Sequence, residues 1–331
     1  MKARVVIVLT ILAFIFASIT TVEIRQVSAA DYIYIKGDGR IDPPTAPISS
    51  ADNITYTLTG DIFWKQIVVE RDGITIDGNG HVIEGTDASG SKGIDLRHRS
   101  NITIRNTRIT KFDDAVYCLQ DIFSPEGHNA IVGNEIVNNS VGIDFSQSSK
   151  NIVVSNNIAN NSIGIRLFLS SDNNISRNLI AHSSGFGLFA GTGMFLSSSD
   201  RNIIYGNRIV ENLLGLDVSG SNNTFYHNEF VGNQNHASID PLGSNFWDNG
   251  YPDGGNYYDN FTQKYPNVTD IFSGSSQNIT GSDGIFDHPY LVDANDVDHY
   301  PLVPEFQFLI ILPIFMIATL LVLIVYKRRL T

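Results

Sequence analysis

A chain with a single cysteine, Cys118, cannot close an internal disulfide, so its rigidity must come from somewhere else. Sulfur is scarce altogether, with three methionines beside that cysteine. Basic residues are also in short supply, 22 against 34 acidic ones, for a net charge of −12. Such a surface repels nucleic acid and anionic head groups, which leaves cations, neutral or basic polymers and plain solubility as what it suits. Long apolar uncharged runs are missing from the body of the chain and occur only at its two ends.

The N-terminal run, Val5 to Ile19, follows Met1-Lys2-Ala3-Arg4 and precedes Ser28-Ala29-Ala30, the pattern of a secretory signal cleaved before Asp31. The C-terminal run, Phe306 to Tyr326, is long enough to span a bilayer as a helix and ends in Lys327-Arg328-Arg329. By the positive-inside rule the expectation is an exported body anchored at the cell surface by one C-terminal transmembrane helix, with the C-terminus in the cytoplasm.

Between these ends one spacing recurs. Two Asn residues five apart bracket a mostly apolar tetrad at Asn101/Asn106, Asn129/Asn134, Asn151/Asn156, Asn173/Asn178, Asn202/Asn207 and Asn223/Asn228. The underlying period is about 22 residues, with two enlarged units. A second marker keeps phase with the first: Gly93-Ile-Asp-Leu96, Ala115-Val-Tyr-Cys118, Gly142-Ile-Asp-Phe145, Gly164-Ile-Arg-Leu167, Gly187-Leu-Phe-Ala190 and Gly215-Leu-Asp-Val218. Each reads as a short strand, with Ile94, Val116, Ile143, Ile165, Leu188 and Leu216 forming one inward column.

A period near 22 is too short for a helical-pair repeat, and its β-branched, Gly and Asn content favours strands and turns. The expected fold is all-β, a right-handed single-stranded parallel β-helix with a C-terminal transmembrane helix. Stacked Asn side chains, bonded from coil to coil at the corners, take the place of disulfides. The expected organisation is a signal peptide over 1–30, an N-terminal cap over 31–60, β-helix repeats over 61–240, a Gly/Asp/aromatic-rich cap over 241–303, and an anchor with a basic tail over 304–331.

These repeats resemble the NosD-like, or CASH-type, parallel β-helix proteins, over about residues 60 to 240. That fold hosts lyases, hydrolases, epimerases, copper-delivery accessories and plain surface proteins, so the resemblance speaks for fold more than for activity. Phe246-Trp-Asp-Asn-Gly250, Gly255-Asn-Tyr-Tyr-Asp259 and Asp298-His-Tyr-Pro-Leu302 look like the tail of archaeal surface members. Pro304-Glu305-Phe306 with the apolar run and basic cluster resembles a PEF-type sorting signal, which implies a sortase-like processing enzyme.

The outward position of the Gly-marked strand supplies the candidate ligand-binding stripe: Asp95, Tyr117, Asp144, Arg166, Phe189 and Asp217. Charged and aromatic groups in a row suit a glycan chain. Asp95 and Asp144, two coils or ~10 Å apart, are the candidate carboxylate pair for sugar chemistry. Asp113-Asp114 with Gly127-His128 is faintly similar to polygalacturonases, but Asn129 stands where their second Gly belongs.

Both enlarged units place their extra residues in the same turn after the strand, Leu119 to Gly127 and Ala190 to Ser199, making two loops on one edge. Calcium is the candidate cofactor, through Asp283, Asp287, Asp293, Asp296 and Asp298, although their spacing fits no EF-hand. For copper, His128, His182 and His227 occupy different phases of the repeat, and Cys118 falls on an inward position. Nine Asn-x-Ser/Thr sites occur; the tail sites Asn260, Asn267 and Asn278 suit N-glycosylation, while Asn101 is expected to be held in the ladder.

The reading that follows is a non-catalytic cell-surface protein that binds a cell-envelope glycan or contributes to the envelope, with no nucleic-acid partner. The competing readings are a polysaccharide-active enzyme (lyase, hydrolase or uronate epimerase) on the β-helix flank, and a copper-delivery accessory.

Overall fold

The computed structural model describes residues 31–304, apart from 186–188, 242 and 294. The chain winds through three sheets of ten, nine and nine strands, each coil giving one strand to each sheet. The first sheet runs through Lys65–Val69, Lys92–Asp95, Asp114–Leu119, Val141–Ser146, Ile163–Phe168, Thr192–Ser197, Leu214–Ser219 and Asn235–Ile239. Each pairs in parallel with the coil before and after, except that Asn235–Ile239, the last, pairs only with the one before. The expected parallel β-helix is therefore present. The expected C-terminal transmembrane helix requires correction: among the described residues no helix is long and apolar enough to cross a membrane. The segments on which the signal peptide, that helix and the sorting signal were placed lie outside the described residues.

Alternation along each short strand drives one apolar side chain per coil inward. Ile67, Ile94, Val116, Ile143, Ile165, Met194 and Leu216 stack as a column with no exposed surface, and Ile104, Ile131, Val153, Ile175 and Ile204 do the same in the second sheet. The small residue that opens each strand of the first sheet has a steric cause. A Cβ on Gly142 would lie 2.5 Å from the Gly164 carbonyl oxygen of the next coil.

The sixth member of the inward column is Met194, not Leu188. Leu188 and Gly187 lie outside the described residues, and the strand is Thr192–Ser197. Gly187-Leu-Phe-Ala190 and Gly193-Met-Phe-Leu196 carry the same pattern, and the Asn spacing cannot tell on which side of the strand the extra residues lie. They precede it. The enlarged turns thus flank opposite edges of the first sheet: 120–129 follows Asp114–Leu119, whereas 182–191 precedes Thr192–Ser197.

Three lines of buried side chains run through the corners. In the first, the backbone N–H of each residue donates to the side-chain oxygen of the next, from Ile102 through Asn129, Asn151, Asn173, Asn202, Asn223 and Asn245 to Asp296. A second line runs from Thr107 through Asn134, Asn156, Asn178, Asn207, Asn228 and Asn256 to Asp298. A third contains Asn139, Asn161, Asn212 and Asn233, and Ser183 interrupts it with a buried hydroxyl that has no partner among the described residues. This third line repeats the same five-residue spacing one step later and was missed in the sequence.

Asn156 shows the chemistry. Its Oδ1 accepts the backbone N–H of Asn134 at 2.9 Å and the Asn134 Nδ2 at 3.0 Å. Its Nδ2 donates to Asn178 Oδ1 at 3.0 Å and to the Ile131 carbonyl at 2.8 Å. Every polar atom of a fully buried amide is satisfied, which is the condition under which buried polar groups stabilise.

The ladder Asn residues do not have positive φ; from Asn129 to Asn233 the residue just before each one does, as at Ser155 (φ 58°), Arg177 (φ 56°), Asn138 (φ 58°) and Asn160 (φ 56°). Asn101 and Asn106 also lie outside the ladder, one residue out of register, since Thr103 pairs with Ala130 and Ile102 with Thr107 fill the ladder sites. Asn101 is exposed, not held in the ladder.

Both ends of the stack are closed. At the start, Asp31–Ile35 and Thr55–Leu58 pair in parallel with the following coil, while Ile41–Asp42 and Ile48–Ser49 turn back antiparallel on them. At the other end Trp247 stacks on Phe225 at 4.5 Å, and Tyr258 lies between Phe230 and Tyr290 at 5.2 and 3.8 Å. Asp296 accepts the Trp247 indole N–H at 2.8 Å, and the buried Asp298 accepts the Asn256 N–H at 2.7 Å.

Replacing Asn178 by Ala orphans buried donors and acceptors on both neighbouring coils and should lower unfolding free energy by roughly 2–3 kcal/mol. Asn101→Ala should stay within about 0.5 kcal/mol of wild type; equal losses in urea titrations would remove the ladder as the source of stability. Burial raises the Asp298 carboxyl well above the usual carboxylate range, against the lowering by the Asn256 and Tyr300 N–H groups. Its contribution is present below the unfolded pKa of about 3.9 and is lost as pH rises through the folded value. Asp298→Asn should therefore be progressively favoured over wild type in unfolding free energies measured from pH 4 to pH 8, and a pH-independent difference between the two would contradict this.

Candidate functional site

On the outer face of the first sheet, strict parallel register aligns Val68, Asp95, Tyr117, Asp144, Arg166, Phe195, Asp217 and Ser238, one per coil. Five of the six expected stripe residues are in this column. Phe189 is not; Phe195 holds its place. Phe189 instead sits at the end of the 182–191 turn, with its ring 4.3 Å from that of Phe195 and stacked on it. Phe168, on the neighbouring coil, is exposed.

Two carboxylates of the stripe, Asp95 and Asp144, are not open to solvent, because cations cover them. Arg97 grips Asp95 from above, with Nη2 2.6 Å and Nε 2.9 Å from Oδ2. Arg166 pairs with Asp144, whose other oxygen accepts the Ser146 hydroxyl at 3.0 Å. Asp144 has no exposed side-chain surface and Asp95 has 5%, against 33% for Arg166 and 55% for Arg97.

A second column adds residues the sequence reading did not place at the site. Lys92 and Asp114 occupy paired positions just before the small residue of their strands and form an ion pair, with the Lys92 Nζ 4.5 Å from the Tyr117 ring centre. Arg166 reaches Asp114 as well, at 3.9 Å. Strict alternation along the strand would place both on the inward side with Ile94 and Val116, so the sequence pattern did not mark them. Later coils carry Val141, Ile163, Thr192 and Leu214 there.

Electrostatics follow from this layering. Burial, then the neighbouring Asp144 charge, raises the Asp114 carboxyl above its usual range, while Lys92 opposes the shift. The Tyr117 hydroxyl is raised by burial and by Asp144. For Arg166 burial acts downward, but the hydrogen bond and charge of Asp144 prevail and its pKa is raised. Asp217, half-buried without a cation, is raised by burial.

The tail acids do not converge. Asp287 accepts the Ile271 and Phe272 N–H groups, Asp293 those of Asn295 and Asp296, and Asp283 that of Ile285, while Asp296 and Asp298 end the Asn ladders. Each closes a turn or caps a line. Among the described residues no group of three or more His, Cys, Asp or Glu could hold a metal ion.

A family model described as "Periplasmic copper-binding protein (NosD)" matches residues 40–263. No curated protein matches the chain. Among solved structures it is similar to the periplasmic alginate epimerase AlgG, with 18% identity over 58% of this chain and 47% of that one and a TM-score of 0.38. It is also similar to the enzymatically active domain of tailspike protein 2 of bacteriophage CBA120, at 9% identity, 70% and 38% coverage and a TM-score of 0.37. A third is the DFA-IIIase of Arthrobacter chlorophenolicus A6, at 13% identity, 60% and 54% coverage and a TM-score of 0.34. The chain spans about half the length of AlgG.

The residues present do not fit copper. Cys118 and Met194 face the core with no exposed surface, and seven of the eight His residues stand beside separate carboxylates, as in His128–Glu126 and His182–Glu211. A copper ion needs several soft or imidazole ligands converging on one point, and these point to different places.

Removing one partner of a covered pair leaves a buried charge. Arg166→Ala should lower stability by roughly 3 kcal/mol. The charge-free double variant Asp144→Asn/Arg166→Gln should recover most of that loss in thermal unfolding; no recovery would mean that Arg166 acts through packing rather than through Asp144.

Proposed function

The chain belongs to the NosD family, and from that premise we propose that it is an exported, non-catalytic β-helix protein that binds a carbohydrate chain along the outer face of the first sheet. Membership of a family described as periplasmic supports export. The observation that carries the binding reading is the unbroken register of polar and aromatic side chains, Asp95 to Asp217, at one residue per coil. Coils rise by ~4.8 Å, close to the length of one sugar unit, so a glycan lying along the axis meets equivalent positions in succession. Tyr117 and Phe195 offer ring surface to sugar C–H groups, and the ion-paired acids and bases between them offer hydrogen bonds. The turn 120–129 follows the strand of Tyr117, and Phe189, just before the strand of Phe195, stacks on that ring, as loops on a rigid stack do at binding sites.

One observation favours an enzymatic reading as the alternative. Asp114, its carboxyl raised by burial and by the neighbouring Asp144 charge, lies 3.9 Å from Arg166 on the outer face, a placement suited to a proton donor. Turnover of a polysaccharide, abolished by Asp114→Asn while binding persists, would establish it.

The binding reading is tested by calorimetry of the protein with a panel of neutral and acidic polysaccharides. At least one should bind, and Tyr117→Ala and Phe195→Ala should each weaken it about tenfold, in line with the loss of one aromatic contact of about 1.4 kcal/mol. Affinities untouched by both substitutions would take the site away from this face.

A further inference from the structure

The surface of the first sheet is not what a net charge of −12 leads one to expect. Over the coils from Lys92 to Arg166 the acids lie beneath and the bases above: Asp95, Asp114 and Asp144 are 0–6% exposed, while Arg97 and Arg166 are 55% and 33% exposed and Lys92 18%. The nearby acids Asp113 and Asp121 are engaged elsewhere, by the Gly90 N–H at 2.7 Å and by His98 at 3.4 Å. A ligand approaching these coils therefore meets guanidinium and ammonium groups before it meets a carboxylate, while Asp217, further along the face, is half-buried and uncovered.

We infer that this face takes an anionic glycan whose charge is carried by carboxylates, a uronate-bearing chain, with those groups on Arg97 and Arg166. The inference rests on the glycan-binding reading given above and names its substrate class. A guanidinium has five N–H donors in a planar fork. Asp95 occupies the Nε and Nη2 edge of Arg97 and Asp144 occupies Nη2 of Arg166, which leaves Nη1 of Arg97, and Nε and Nη1 of Arg166, without a partner among the described residues. Those remaining N–H groups belong to cations, so their hydrogen bonds to a carboxylate are charge-assisted and stronger than those to a neutral hydroxyl.

The other half of the face continues the site with different chemistry. Phe195 lies in register with Arg166, Phe189 stacks on it, and Phe168 is exposed on the same strand as Arg166. A sugar whose carboxylate sits on Arg166 presents its ring to these aromatics. Buried acids hold the cations in place, so no side chain has to be ordered on binding.

The charge on the whole chain opposes such a ligand and the local cations favour it, and ionic strength separates the two. Attraction at the site acts within a Debye length of ~8 Å at physiological salt, so added salt weakens it. The experiment uses the full chain with polygalacturonate, dextran sulfate and a neutral β-glucan, each at low and high salt. Polygalacturonate should bind best, and high salt should weaken it about tenfold. The charge-balanced variants Asp144→Asn/Arg166→Gln and Asp95→Asn/Arg97→Gln, checked for unchanged thermal midpoints, should each lose tenfold or more for polygalacturonate and little for a neutral polymer.

Binding of the neutral glucan alone, insensitive to both double variants, would overturn the anionic assignment and leave glycan binding standing. Preference for dextran sulfate over polygalacturonate would overturn the carboxylate assignment. Binding of none of the three would overturn the glycan-binding reading beneath it.

Discussion

The double acceptor role of one side-chain oxygen carries this architecture. Where Asn follows Asn along a line, the Oδ1 takes both the backbone N–H and the amide N–H of the coil before it, and most of these amides also donate to a backbone carbonyl, as Asn156 does to Ile131. A short coil must turn its chain sharply at every corner, and each corner leaves backbone groups that no strand can pair. The Asn line satisfies those groups without water and does so identically at each level. That permits an apolar interior of single Ile, Val and Leu columns and a stable exported body with no disulfide.

Rigidity of that kind has consequences for the outer face. Parallel strands locked in register by the columns below hold the outward residues at fixed spacing, so Asp95, Tyr117, Asp144, Arg166, Phe195 and Asp217 stand in a row whatever their own preferences. Charged residues placed so close would repel if they were all acidic. Here Lys92, Arg97 and Arg166 alternate with the acids and cover them, which turns a row of like charges into a layered network. The same acids make the cations a preorganised surface.

Much of the fold was legible in the chain itself. The Asn pairs and the Gly-marked strands named the coil, its period and most of its inward column, and the outward position of five stripe residues followed from alternation alone. The errors share a cause. Asn101 and Asn106 satisfied the spacing but stand one residue out of register, because an Asn before an apolar tetrad looks the same in sequence whether it is left-handed and exposed or extended and buried. Phe189 was taken for Phe195 because two tetrads of one pattern lie in the same enlarged coil. The tail acids are close in sequence, and the structure shows each closing a separate turn or ending a ladder.

The sequence by itself determined the coil and its stack, since the periodicity of Asn, Gly and β-branched residues is a property of neighbours along the chain and every coil repeats it. Only the tertiary structure decided which side of a strand an insertion occupies, that Lys92, Arg97 and Asp114 join the stripe, and that its acids lie beneath its bases. Those facts depend on contacts between residues about one coil apart, such as Lys92 with Asp114 and Asp144 with Arg166. Such contacts arise only when successive coils are laid one on another in register, and no local pattern states which long side chain will bend over which short one.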